Sequence, residues 1–239
     1  MPPFQVAPPA GTSCSTGSEA IGGKAMARDR WGRVAASYEE GQTYVVGPDV
    51  VERVQRAVTG AVPPGDVVEF GCGTGLYTRV VARRCANVIA IDRSAPMVAA
   101  ALEALAGVPN VVVRTADATA TGLPGGSADA VVAVNLLHIV PDPGAVLAEA
   151  RRVLRPGGLL IVADATDDGM SLGRRVAAIG RLLRRPRLLP ALGLSRDRHN
   201  LTQASLEAVV RAAGFTSVEG RLLRGRLMNA AFVGAARPS

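Results

Sequence analysis

The chain has 239 residues, 48% of them apolar and 20% charged, enough for one full-sized core and a small appendage. Aromatic residues make up only 3%, which argues against a single-strand base-stacking platform, so no nucleic-acid partner is expected, and no uncharged apolar run approaches the roughly 20 residues of a spanning helix. Net charge is +7, yet residues 1–120 are balanced at 11 basic and 11 acidic groups, whereas residues 121–239 carry 16 and 9. Arg174 to Arg198 holds eight arginines against Asp197 alone, so this one segment contains the whole imbalance. Cys14, Cys72 and Cys85, with His138 and His199, share no metal-ligand or disulfide spacing, so no metal is expected and the reading is a reducing, cytoplasmic location.

Residues 1–28 are rich in Pro, Gly, Ser and Thr without a basic or apolar targeting region, and read as a flexible tail ahead of one domain over 29–239. Helical patterns run from Asp29 to Tyr38 and from Asp49 to Val58, the second broken by Gly60 and Pro63-Pro64. Apolar, β-branched runs then alternate with helices: Val67–Phe70, a helix from Gly75, Val88–Ile91, a helix from Ala95, Val111–Arg114, Ala130–Val134, a helix from Pro143, and Leu159–Ala163. Such alternation predicts an α/β fold with a parallel sheet covered by helices on both faces. Ser94 and Thr202 read as N-caps, and Pro156-Gly157-Gly158 as a helix stop turning into the next strand. Phe215–Leu223 and Leu227–Ala235 flank Arg224-Gly225-Arg226 and predict a hairpin, which makes seven strands with the last one reversed.

The strongest local signal is Glu69-Phe70-Gly71-Cys72-Gly73-Thr74-Gly75 at a strand-to-helix junction, where glycines let the backbone turn and approach a ligand. Position 76 is Leu, so the spacing is GxGxG and not the GxGxxG of a dinucleotide site. Asp92 ends the second strand, where an acid accepts bonds from ribose hydroxyls, and Asp117 follows the third strand, where a carboxylate suits an adenine amino group. One glycine floor with two separated acids is what a ligand with adenosine but no pyrophosphate requires.

With Leu137–Asp142 (Leu-His-x-x-Pro-Asp) and Leu154-Arg155-Pro156-Gly157-Gly158, these features resemble the class I S-adenosylmethionine-dependent methyltransferases, specifically the small-molecule group that includes the quinone-biosynthesis type. The resemblance runs through most of residues 29–235. It implies a Rossmann-like sheet with an antiparallel last strand, S-adenosylmethionine as cofactor, and a small-molecule acceptor. It also implies cofactor contacts at Tyr38, Glu69, Gly71, Cys72 and Gly73, then at Asp92, Arg93 and Met97, and finally at Asp117, Ala118 and Asn135. Asn135-Leu136-Leu137-His138 replaces the Asn-Pro-Pro-Tyr of nucleobase and glutamine amino methyltransferases, which lowers those activities, and His138 reads either as a catalytic base or as an imidazole that fixes the loop through its two nitrogens. Cys72 has no partner base and reads as a small side chain beside the ligand.

Three other readings stay beside this one: a nicotinamide-dependent oxidoreductase, against which Leu76 and the Leu154–Gly158 motif count, a membrane-surface lipid or quinone methyltransferase, and a cofactor-binding or membrane-peripheral adaptor without transfer activity. Arginine replaces lysine almost everywhere, Lys24 being the one lysine, a bias associated with GC-rich genomes and specialised metabolism. Residues 165–201 read as an arginine-rich lid insertion, with Leu172, Val176, Ile179 and Leu183 at helical spacing. Three uses compete for it: a solvated lid, a pocket for an anionic substrate, and a membrane-surface helix. The reading taken is the lid, its apolar residues facing the acceptor and most of its arginines in water.

Overall fold

The computed structural model describes residues 32–185 and 201–239. The expected tail and His199, Arg187, Arg196 and Arg198 lie outside the described residues. Seven strands, β1 (Asp66–Phe70), β2 (Asn87–Asp92), β3 (Val111–Thr115), β4 (Ala128–Val134), β5 (Leu154–Thr166), β6 (Thr216–Arg224) and β7 (Asn229–Ala236), form one sheet in the order β3-β2-β1-β4-β5-β7-β6. β1 pairs in parallel with β2 and β4, with Phe70 opposite Ile91 on one side and Ala133 on the other. β7 runs antiparallel between β5 and β6, so the expected Rossmann-like sheet with a reversed last strand is the fold observed.

The helices are α1 (Tyr38–Val46), α2 (Pro48–Ala61), α3 (Thr78–Val81), α4 (Ala95–Ala104), α5 (Pro143–Val153), α6 (Leu172–Leu183) and α7 (Gln203–Ala212), with a 3₁₀ turn at Gly32–Ser37 before α1. Because side chains alternate along a strand, each apolar strand feeds two cores. Val68, Phe70, Ile89 and Ile91 pack with Leu147 of α5 and Leu206 of α7, while Val67, Val88, Val132 and Ile161 pack with Val50, Val54 and Val58 of α2. Thr202 caps α7 by accepting from Ser205 N, and Asp142 caps α5 by accepting from Ala145 N at 3.0 Å.

Several boundaries differ from the sequence reading. Tyr38 begins an α-helix where a helix was expected to end, and the helix expected from Gly75 is the single turn α3, because the loop runs on through the glycine at φ +87° to Tyr77. Ser94 takes the N-cap position without a side-chain capping bond. Pro156-Gly157-Gly158 lies inside β5 and not in a turn: α5 has already ended at Val153, and the pairing of β5 with β4 shifts register between Ala128 and Ala130, which absorbs the extra residues as a bulge.

Candidate functional site

The strand order reverses between β1 and β4, the place where a parallel sheet leaves a crevice beyond its carboxyl ends. A cavity of about 280 Å³ occupies that position. Its floor is Gly71 and Gly73 after β1, and both hold left-handed backbone angles (φ +70° and +54°) that favour glycine. A Cβ on Gly71 would come within 2.8 Å of the Leu136 side chain, and one on Gly73 within 3.5 Å of the Tyr38 ring. The loop is tied down from β2: Cys72 N donates to Ile91 O at 2.9 Å, and Gly73 N donates to Asp92 Oδ2 at 2.9 Å. Asp92 Oδ1 accepts from Ser94 N, so this one carboxylate fixes both the glycine loop and the start of α4.

Asp117, in the loop after β3, accepts from the backbone N and the hydroxyl of Thr119, which hold its carboxyl below the usual range, helped by the charge of Arg93. Asn135, at the end of β4, is one of two non-glycine residues with positive φ among the described residues, at +53°. Its Oδ1 accepts from Ala165 N, a bond that holds this uncommon angle at the cavity wall. Tyr38 accepts from Gln42 Nε2 at 2.9 Å, and burial pushes its hydroxyl up to about 12, so it stays neutral.

The cavity therefore gathers Tyr38, Gly71, Gly73, Asp92, Arg93, Met97, Asp117, Ala118 and Asn135. It does not gather Glu69, Cys72 or His138. Glu69 points from β1 into the core under α3, where it is 2% exposed, and burial raises its carboxyl to about 7, partly offset by the nearby Thr78 hydroxyl. Cys72 is buried beside the loop and its thiol is driven up by the same cause, so it stays protonated. His138 lies in the turn after β4 with Nδ1 2.6 Å from Asp164 Oδ1. Both are buried, at 7% and 0% exposure, and Asp164 Oδ2 has no hydrogen-bond partner among the described residues.

Sequence reading missed Asp164 and the apolar wall of Leu136, Ile139, Val140 and Val146. The carboxylate inside the apolar run Leu159–Ala165 was a visible signal, since a buried acid demands a partner. Nothing in the spacing pairs it with a histidine 26 positions earlier.

The lining carries three carboxylates, Asp92, Asp117 and Asp142, against one guanidinium, Arg93. Such a balance disfavours a pyrophosphate and suits a ligand bearing positive charge. Among the described residues no group of three or more His, Cys, Asp or Glu side chains is placed to hold a metal.

The inversion at α6 is the largest departure from expectation. Leu172, Val176, Ile179 and Leu183 face outward at 77%, 61%, 58% and 68% exposure. Three of its arginines and Arg185 just beyond it instead bind the body: Arg174 donates to Gly225 O, Arg175 pairs with Asp167, Arg181 donates to Tyr44 O and stacks on its ring, and Arg185 pairs with Glu40 of α1. The apolar face of this helix does not look into the cavity.

Residues 68–162 match the family described as a methyltransferase domain. The chain is 32% identical over 203 residues to the demethylmenaquinone methyltransferase of Clavibacter sepedonicus, covering 80% of this chain and 82% of that one. It is 38% identical over 95 residues to the ubiquinone biosynthesis O-methyltransferase of Pseudomonas aeruginosa, a stretch covering 38% of this chain and 40% of the relative. Among solved structures, a methyltransferase from Thermotoga maritima superposes with a TM-score of 0.66 at 21% identity, covering 87% of this chain and 98% of that one.

Proposed function

Since the chain belongs to the class I S-adenosylmethionine-dependent methyltransferases, we propose that it methylates a small-molecule acceptor, with His138 as the general base and Asp164 as the residue that positions it. The cofactor is S-adenosylmethionine, and the cavity fits it: a floor of glycines at left-handed backbone angles, where a Cβ on Gly71 would strike Leu136, a carboxylate at the end of β2, an apolar wall, and a surplus of negative charge facing a cationic ligand. Asp92 would hold the ribose, Asp117 and Ala118 would border the adenine with Arg93 and Met97, and Tyr38 and Asn135 would close the methionine end. Glu69 and Cys72 would act from behind the loop, through packing. When bound, S-adenosylmethionine supplies a methyl group already activated on a sulfonium.

What remains for the protein is to orient the acceptor, exclude water and take a proton. His138 stands behind the lining, between Leu136 and Ile139 in the turn after β4, and its 2.6 Å contact with Asp164 carries this reading. A carboxylate accepting from Nδ1–H fixes the tautomer whose Nε2 holds the free lone pair, and it stabilises the imidazolium once the acceptor's proton arrives. A lipid-soluble quinone acceptor is the second reading, supported by the activities named for the Clavibacter and Pseudomonas relatives. A place in specialised metabolism rests on the arginine-for-lysine bias, and a cytoplasmic location on the scattered cysteines. No helix among the described residues is long and apolar enough to cross a membrane.

The test is a mass-spectrometric screen for a methylated product followed by kinetics on His138→Ala and Asp164→Asn. His138→Ala should lower kcat by about 10²-fold or more with cofactor affinity unchanged. Asp164→Asn should lower kcat and move the pH at which the rate rises, leaving the acceptor's KM in place. Losses below a few-fold in both would leave orientation and desolvation as the whole of the protein's contribution. Cofactor binding without turnover on any acceptor would favour the non-catalytic adaptor.

A further inference from the structure

Helix α6 turns an apolar stripe to solvent. At about 100° per residue, Leu172, Val176, Ile179 and Leu183 fall within roughly 60° of one another, and Gly173 and Gly180 extend the same face into open space. A surface helix ordinarily buries such a stripe. Here the fixing is done by the opposite side, through Arg174, Arg181 and Arg185, so the stripe is held outward by specific bonds.

Charge decides what this face can meet. Of the five arginines on or next to α6, Arg175 and Arg185 have acidic partners, while Arg174, Arg181 and Arg184 have none among the described residues. Arg174 and Arg181 stand on the side that grips the body and Arg175 is engaged by Asp167, so the cation at the edge of the stripe is Arg184, whose aliphatic stem can lie along an apolar surface with the guanidinium at its polar edge. A second copy of the chain would bring the same cation-edged stripe and no anion to meet it. An anionic bilayer offers what both features require, an apolar layer below and negative headgroups above.

We propose that the outer face of α6 docks on an anionic phospholipid surface, with Leu172, Val176, Ile179 and Leu183 entering the headgroup boundary. This replaces the lid expected from the sequence. It goes beyond the methyl-transfer reading and does not depend on which acceptor is used. It also sets the catalytic body on the membrane through α1, whose Tyr44 and Glu40 are the residues that α6 grips.

Co-sedimentation of the full chain with vesicles of phosphatidylcholine, alone or mixed with phosphatidylglycerol, tests it. The wild type should pellet with the mixed vesicles at low salt, release as salt rises, and stay in solution with phosphatidylcholine alone. Val176→Glu/Ile179→Glu should weaken the mixed-vesicle binding at least about ten-fold, and Arg184→Gln about five-fold. Both positions are exposed, so circular dichroism and calorimetric S-adenosylmethionine binding should be unchanged. Three outcomes overturn the proposal: no binding at low salt, binding indifferent to the double substitution, or a concentration-dependent dimer in sedimentation velocity that the double substitution abolishes. Because cofactor binding and transfer to a water-soluble acceptor are measured without vesicles, a failure here is distinguishable from a failure of the enzymatic reading.

Discussion

Asp92 serves the backbone before any ligand arrives. Its two oxygens accept from Gly73 N and Ser94 N, and a carboxylate offers about four acceptor positions for such bonds. Asp92→Ala should weaken S-adenosylmethionine binding by about 1.5 to 3 kcal/mol, read by calorimetry. An unchanged affinity in a folded variant would remove the carboxylate from the site. Glu69 presents the opposite case, an acid that the fold would be more stable without. Its ordinary value is 4.5 and burial lifts it to about 7. Below pH 4.5 both folded and unfolded chains hold the proton; between 4.5 and 7 only the folded chain keeps it, so stability falls as pH rises, by about 3 kcal/mol across the window. Glu69→Gln escapes that loss. Urea unfolding should show the variant gaining on the wild type from pH 4.5 to 8, and a gap independent of pH would contradict the assignment.

At the level of elements, α5 is fastened to the loop after β3 by Glu149, which accepts from Thr121 N at 2.8 Å, from the Thr121 hydroxyl at 2.6 Å and from Arg152 Nε at 2.7 Å. These donors, Arg152 foremost, pull its carboxyl down to about 2. Stability from this group is present above pH 4.5 and is lost as pH falls toward 2. Arg152 is half exposed and screened by solvent, so Glu149→Gln should cost about 1 to 2 kcal/mol at pH 7. Wild type and variant should converge near pH 2 in thermal or denaturant melts. The strands were legible for a physical reason: Val67–Phe70, Val88–Ile91 and Ala130–Val134 are short β-branched runs of a sheet buried on both faces, a pattern few other structures produce. The facing of α6 was not legible, because periodicity shows that a helix has two unlike sides without showing which one the body holds. Its arginines are held by Gly225 O, Tyr44 and Glu40, partners up to 145 positions away that no local pattern reveals.

Over the whole molecule, the glycine loop and Asp92 could be read because a tight turn at a switch point, with left-handed angles at Gly71 and Gly73, restricts residue type locally. His138 was visible but its partner was not, since β4 and β5 meet only once the sheet is assembled. The same assembly places α1 between two surfaces. Tyr38 at its start lines the cavity, and Tyr44, six residues on, is locked to Arg181 by a bond in each direction: its hydroxyl donates to Arg181 O at 2.7 Å, and Arg181 Nε donates to Tyr44 O at 3.0 Å. Any coupling between occupancy at one end of this short rod and attachment at the other must be reciprocal. Whatever factor separates the vesicle affinities of the cofactor-loaded and cofactor-free protein must equally separate its cofactor affinities on and off the vesicle.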